Sequence, residues 1–149
     1  MKNEIIESIK SENAKELENL LKNKGSLSLD FVTNDNETPL IIASRLGNNG
    51  LVKQLLQYGA NVDFQNETLD TALTISAENG DKSLVELLVK SGANPHLKNE
   101  DEKSALDYIK KNNYKDILIM ITDLELSSKI EKIRGVEPEL VHDKPKLNS

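Results

Sequence analysis

Two imidazoles, His96 and His142, are the only histidines in the 149 residues, and neither has a Cys or a paired carboxylate at ligand spacing. A metal centre is therefore not expected. The absence of Cys removes thiol nucleophiles, disulfides and thiolate-held zinc together, while leaving the redox compartment open. Gly47-Asn48-Asn49-Gly50 has the glycines of a phosphate-cradling loop but not its Lys-Ser/Thr ending. It recurs as Gly80-Asp81-Lys82-Ser83, which makes both stretches turns between helices. Loop carboxylates are plentiful: Asp35, Glu37, Asp63, Glu67, Asp70, Glu100, Asp101 and Glu102 face only Lys98 and Lys103. A carboxylate on a projecting loop without an apolar pocket has no means of raising its pKa, so general acid–base work is not expected either. Catalytic residues, cofactors and metals are all expected to be absent. What remains is a binding surface rather than an enzyme.

The elements that would carry such a surface follow from composition. The length suits one domain, and aromatics are only 3% with no Trp, so a core must be built from Leu, Ile, Val and Ala. Glu4 and Glu7 interrupt what would otherwise be the apolar core of a leader in MKNEIIESIK, and no run approaches the ~20 apolar residues of a membrane span. A soluble, cytoplasmic chain that does not contact membrane is expected. A formal charge of -6 argues against non-specific nucleic-acid binding, which needs a basic footprint.

Self-comparison exposes a period of 33 residues. TPLIIASRLGNNGLVKQLLQYGAN from Thr38 lies over TALTISAENGDKSLVELLVKSGAN from Thr71, pairing Leu40 with Leu73, Gly47 with Gly80, Leu55 with Leu88 and Gly59 with Gly92. Ser104-Ala105-Leu106 and Ile117, Leu118 and Ile121 continue the register downstream. Upstream, Ile5, Glu12, Leu17, Leu20 and Leu21 fit at a shift of 35. Four units result, at about 3–33, 34–66, 67–99 and 100–124. In the two central units a Thr caps a short helix whose small face admits a close neighbour and a Gly ends it, and Ser104 takes the capping place in the fourth. Pro39 suits the first helical position because its missing N–H costs nothing there. The second helix carries an apolar stripe, Leu51, Val52, Leu55 and Leu56, at helical spacing. One helix pair cannot bury that stripe, so unit must stack on unit.

This pattern resembles the ankyrin repeat, through TPLIIA, TALTIS, SALDYI, LVKQLLQYGANVD and LVELLVKSGANPH in register over roughly residues 3 to 124. The resemblance implies an all-α solenoid of helix-turn-helix units joined by hairpin-like loops. Two departures stand out. Ile41, Thr74 and Asp107 replace the family's His, so its hydrogen-bond network is expected to be missing. Asn36, Leu69 and Glu102 replace a Gly two residues before the capping Thr or Ser, so strained or reshaped turns are expected at the last two. A polar first unit is expected to cap one end. At the other, Ile117 to Ile121 form an apolar run, and residues 125–134 are expected to form a short helix covering it, which completes a domain over 1–134. Residues 135–149 read as a flexible tail.

The resemblance also implies a partner-binding site at the loop tips and the concave side of the first helices. Carried over by position, this comprises Asn34, Asp35, Glu37, Arg45 and Leu46, then Gln65, Glu67, Thr68, Asp70, Glu78 and Asn79, then Lys98, Glu100, Asp101, Lys103, Lys111 and Asn112. Leu46, Leu69 and Tyr58 are candidate apolar anchors. The acidic loops favour another protein with a basic surface as partner, bound by a chain that is monomeric when free. A concrete form is an inhibitor or immunity protein of a basic enzyme or toxin. The alternative is a scaffold, an adaptor or a host-directed microbial effector, since the excess of Lys over Arg with abundant Asn and Ile suggests an AT-rich microbial or viral genome.

Overall fold

The computed structural model describes residues 1–136, which contain eight helices and no strands. The chain divides into two compact units, residues 1–114 and the segment from Lys115 onward. In the first unit the helices come in pairs: α1 (Lys2–Lys10) with α2 (Ala14–Lys22), α3 (Pro39–Arg45) with α4 (Asn49–Gln57), and α5 (Ala72–Glu78) with α6 (Lys82–Lys90). Helix α7 (Ala105–Lys111) completes this unit, and α8 (Lys115–Val136) is the described helix of the second. Helices α1, α3, α5 and α7 pack side by side in one layer, and α2, α4 and α6 in another. The all-α solenoid expected from the repeat is therefore the observed architecture.

The caps follow the residues that start each helix. Asn13, Thr38, Asn48, Thr71, Asp81 and Ser104 each accept a hydrogen bond from the backbone N–H three residues on. Two positions that lost the family's His are used differently from the expectation. Thr74 pairs its hydroxyl with that of Thr71 at 2.9 Å, and the Asp107 carboxylate accepts from the Ser104 N–H at 2.8 Å, so each completes a capping box. Those hydrogen bonds to Ser104 hold the Asp107 carboxyl below its ordinary range. Ile41 has no such group and is buried instead.

The apolar stripes lie between the layers. Leu51, Val52, Leu55, Leu84, Val85 and Leu88 are fully buried, whereas Leu56 sits at the edge, half-buried. Ser44 and Ser76 keep the first-helix layer thin, each returning its hydroxyl to a carbonyl four residues back, Leu40 at 2.8 Å and Ala72 at 2.6 Å. At Gly47, φ is +68° and a Cβ would lie 3.1 Å from an Asp81 carboxylate oxygen, so this turn needs a glycine for both conformation and space.

Between pairs the chain projects as three matching hairpin-like loops, closed by Thr33 N–H to Glu37 O, Asn66 N–H to Asp70 O and Asn99 N–H to Lys103 O, at 2.9 to 3.0 Å. Of the strained or reshaped turns expected at Leu69 and Glu102, the structure has the strained form, left-handed backbone with the loop shape kept: φ is +57° at Asn36, +63° at Leu69 and +60° at Glu102. Left-handed backbone costs an L-residue about 1–2 kcal/mol, of which the larger unfolded-state entropy of glycine offsets part. Leu69→Gly is accordingly expected to raise the unfolding free energy by about 0.5–1 kcal/mol in a urea titration. A loss of stability would show that the half-exposed leucine packs to an extent its exposure does not suggest.

The C-terminal expectation needs correction. Residues 115–124 and 125–134 form one continuous helix, α8, because nothing in TDLELSSKIEK breaks helical backbone. Leu124, Leu126, Ile130 and Ile133, expected to cover an apolar end, are exposed. Gly135 and Val136 close α8 rather than opening a tail, and the rest of the expected tail, including His142, lies outside the described residues.

Candidate partner-binding face

Three loops stand side by side because side chains of one reach the backbone or side chains of the next. Asp30 accepts from the Asn61 N–H at 2.8 Å, and one repeat later Asp63 accepts from the Asn94 N–H at 2.7 Å. Nearer the tips, the Asn66 amide donates to Glu37 at 3.1 Å and the Asn99 amide donates to Asp70 at 3.0 Å. The same two asparagines turn their carbonyls inward, Asn66 accepting from the N–H groups of Thr68 and Asp70, and Asn99 from those of Asp101 and Lys103. Each is almost completely buried although it sits in a loop. Gln65 donates to the Lys98 carbonyl at 3.2 Å, and Glu100 N–H to the Thr68 carbonyl at 2.9 Å.

This ladder sorts the residues singled out by sequence. Glu37 lies inside it: the Arg45 guanidinium holds the carboxylate through two bonds, at 2.8 and 3.0 Å, beside the Asn66 amide. Burial pushes the Glu37 carboxyl up, but Arg45 and Asn66 outweigh it and leave it below the usual carboxylate range. Asp70 is likewise engaged, by the Thr68 hydroxyl at 2.8 Å and by Asn99. Gln65, Thr68 and Asp63 are framework too. Asn112 belongs to the seam between units, donating to the Ala77 carbonyl at 2.9 Å. Glu67, though exposed, takes the Asn36 amide at 3.1 Å, and Lys98 meets Glu102 at 3.7 Å. Asn34, Asp35, Glu100, Asp101 and Lys103 are exposed at the loop tips, and Leu46, Glu78, Asn79 and Lys111 are exposed at the ends of the first helices.

The negative field of this side is visible on neighbouring groups. Tyr108, on α7, is pushed up by burial and by the carboxylates of Glu78, Asp70 and Asp101, against a hydrogen bond from Asn99 that lowers it. Arg45 is held more strongly protonated than usual, chiefly by its hydrogen bonds to Glu37, with Asp70 and Glu78 adding to the effect. Apolar surface interrupts the charge at Val32, Leu46 and Leu69, each exposed by nearly half. Sequence reasoning missed Val32, whose counterparts in the repeat register, Gln65 and Lys98, are polar. Tyr58 is half-buried at the C-cap of α4, a second helix, and does not join the other anchors. Among the described residues, no group of three or more His, Cys, Asp or Glu is placed to hold a metal ion. His96 is exposed, its backbone N–H held by Asn94 at 2.9 Å. No helix among the described residues is long and apolar enough to cross a membrane.

The family model for ankyrin repeats in three copies matches residues 44–131. The chain belongs to the ankyrin-repeat family. Among solved structures, the ankyrin repeat domain of Bcl-3, described as a unique member of the IkappaB protein family, is 30% identical, with a TM-score of 0.65 over 70% of this chain and 45% of that one. The chain thus spans less than half the length of that relative. No curated protein matches the sequence. With 434 solved chains matching, the ankyrin fold by itself names no partner. Ankyrin repeats generally mediate protein–protein interaction and are typically not enzymes. The inter-loop ladder is what makes an ankyrin face a rigid one here, since four carboxylates, Asp30, Glu37, Asp63 and Asp70, clamp each loop to the next.

Proposed function

We propose that the loop tips and the first-helix side bind one protein partner through a basic surface, and that the chain acts as an inhibitor or immunity protein for a basic enzyme or toxin. The observation that carries this reading is the exposed carboxylate set at the tips, Asp35, Glu100 and Asp101, mounted on loops already locked by hydrogen bonds. Locked loops lose little conformational freedom on binding, which leaves more of the interaction free energy for affinity. Val32, Leu46 and Leu69 supply apolar contact between the charges. An acidic rim of this kind acts mainly on the association rate, because the field steers a basic partner before contact.

The test is association kinetics with the partner captured from the source organism's lysate on immobilised chain. Asp35→Asn, Glu100→Gln and Asp101→Asn together are expected to lower the on-rate on the order of tenfold at low salt and to flatten its salt dependence, since screening shortens the field to about 10 Å at 0.1 M. None of these three side chains is part of the ladder, so the melting temperature is expected to stay where it is. Lys53→Ser, Glu86→Ser and Lys90→Ser, on the second helices α4 and α6, form the control. They remove one exposed ion pair, Lys90 with Glu86 at 2.9 Å, which contributes little to stability. A loop variant that binds like the wild type beside a control that fails would move the site to the second-helix side.

A further inference from the structure

Helix α8 carries apolar residues on two opposite sides. Ile117 and Ile121 are buried on one. At 3.6 residues per turn, Ile119, Leu126, Ile130 and Ile133 fall within a sector of about 60° on the other. They are exposed by 62%, 55%, 40% and 57%, the largest run of exposed aliphatic surface on any one element of the described chain. Their separations of seven, four and three residues are those of a helix-pairing seam, with Asp123 in the one remaining core position. Thr122, at the border of this stripe, turns its hydroxyl back to the Leu118 carbonyl at 2.9 Å and so presents its methyl group.

The charges beside the stripe are divided along the helix. Asp116, Asp123 and Glu125 lie in the first half and Lys129, Lys132 and Arg134 in the second, with Lys115 and Glu131 as the exceptions. A parallel pair of such helices would set like charge against like. An antiparallel pair sets the acidic half of each beside the basic half of the other. We infer that α8 is a self-association surface that pairs with α8 of a second copy of this chain, antiparallel and centred on Leu126. In that register Ile119 of one copy faces Ile133 of the second, Leu126 faces its own equivalent, and Asp123 lies level with Lys129 of the second copy. The contact is isologous and closes on itself, so it yields dimers and not filaments.

The seam spans about 21 Å, fourteen rises of 1.5 Å, and contributes four apolar side chains from each copy. That is smaller than the ~1,200–2,000 Å² of a standard stable interface, so a weak, concentration-dependent dimer is expected in place of the free monomer that sequence suggests. The inference is independent of the loop face, which lies in the other compact unit.

The test is sedimentation equilibrium of the full chain at low salt, from micromolar to submillimolar concentration. A reversible monomer–dimer equilibrium is expected, with a dissociation constant raised at least about tenfold by Leu126→Glu while circular dichroism and melting stay unchanged, because the side chain is exposed in the monomer. Two charge variants fix the orientation. Lys129→Glu with Arg134→Glu makes both halves of the helix net acidic, and Asp123→Lys with Glu125→Lys makes both halves net basic. Each alone is expected to dimerise more weakly than the wild type, and an equimolar mixture at least as strongly. A chain that stays monomeric over the whole range overturns the inference, as does dimerisation that Leu126→Glu leaves intact. A mixture no tighter than its components overturns the antiparallel register. Dimerisation that appears only after removal of residues 137–149 would show that the chain's own C-terminus covers the stripe, and would overturn it as well.

Discussion

Truncating Leu88 to Ala is expected to cost about 2–5 kcal/mol of unfolding free energy, the range for a fully enclosed leucine whose surroundings relax only in part. Leu88 has no exposed surface, and it lies in α6, which packs against both α5 and α4. The cavity would therefore open at the meeting point of two units. The consequence is local in a solenoid, because each pair touches only its neighbours. Amide exchange is expected to quicken through α5, α6 and α7 while α1 and α2 keep more of their protection. A urea titration gives the magnitude and exchange gives the distribution. Uniform loss of protection along residues 1–114 would show coupling tighter than nearest-neighbour stacking, and a cost under about 1 kcal/mol would contradict the packing itself.

Asn99→Ala is expected to cost about 2–4 kcal/mol, an unusual amount for a loop residue. The side chain donates to Asp70 at 3.0 Å and accepts from the N–H groups of Asp101 and Lys103, both at 3.0 Å, and it is almost completely buried. Alanine would leave two part-buried N–H groups without that acceptor, so the desolvation of those groups adds to the lost bonds. Asn99→Asp separates the two contributions. It keeps the acceptor for the loop N–H groups but sets a second carboxylate against Asp70, and the pair can both ionise only at a cost. At neutral pH it is expected to be at least as destabilising as alanine. As the pH falls into the carboxylate range, a proton shared by the two groups restores a donor and part of the stability. Chemical denaturation at two pH values checks this. If Asn99→Ala costs no more than an exposed loop change, the ladder does not hold the loops and the preorganised face loses its basis.

Each of these residues was legible to a different degree. Leu88 stands in a stripe whose period could be counted, and its burial follows from the fact that an isolated helix pair cannot cover it. Asn99 looked like one more turn residue among Lys98, Glu100 and Asp101. Its partner Asp70 is 29 positions away, and no spacing rule links a loop amide to a carboxylate in the preceding loop.

The amino-acid sequence by itself determined the repeat, the helix pairs with their caps, the buried stripes and the surplus of loop carboxylates. These are local or periodic properties: a Thr three residues before the N–H it caps, or leucines at i and i+4, act through contacts that the helix itself supplies. The tertiary structure decided which carboxylates are available. Glu37, Asp63 and Asp70 count equally with Asp35, Glu100 and Asp101 in any charge sum, yet the first three are spent on hydrogen bonds to the next loop or to Arg45, and the last three face outward. Leu69 and Glu102 stay in left-handed backbone in loops that the ladder ties to their neighbours, on both sides of Leu69 and on one side of Glu102. It was likewise the helix as built that joined residues 115 to 136 into one rod, since a boundary written as a change of role, from buried stripe to covering segment, has no effect on backbone that nothing interrupts.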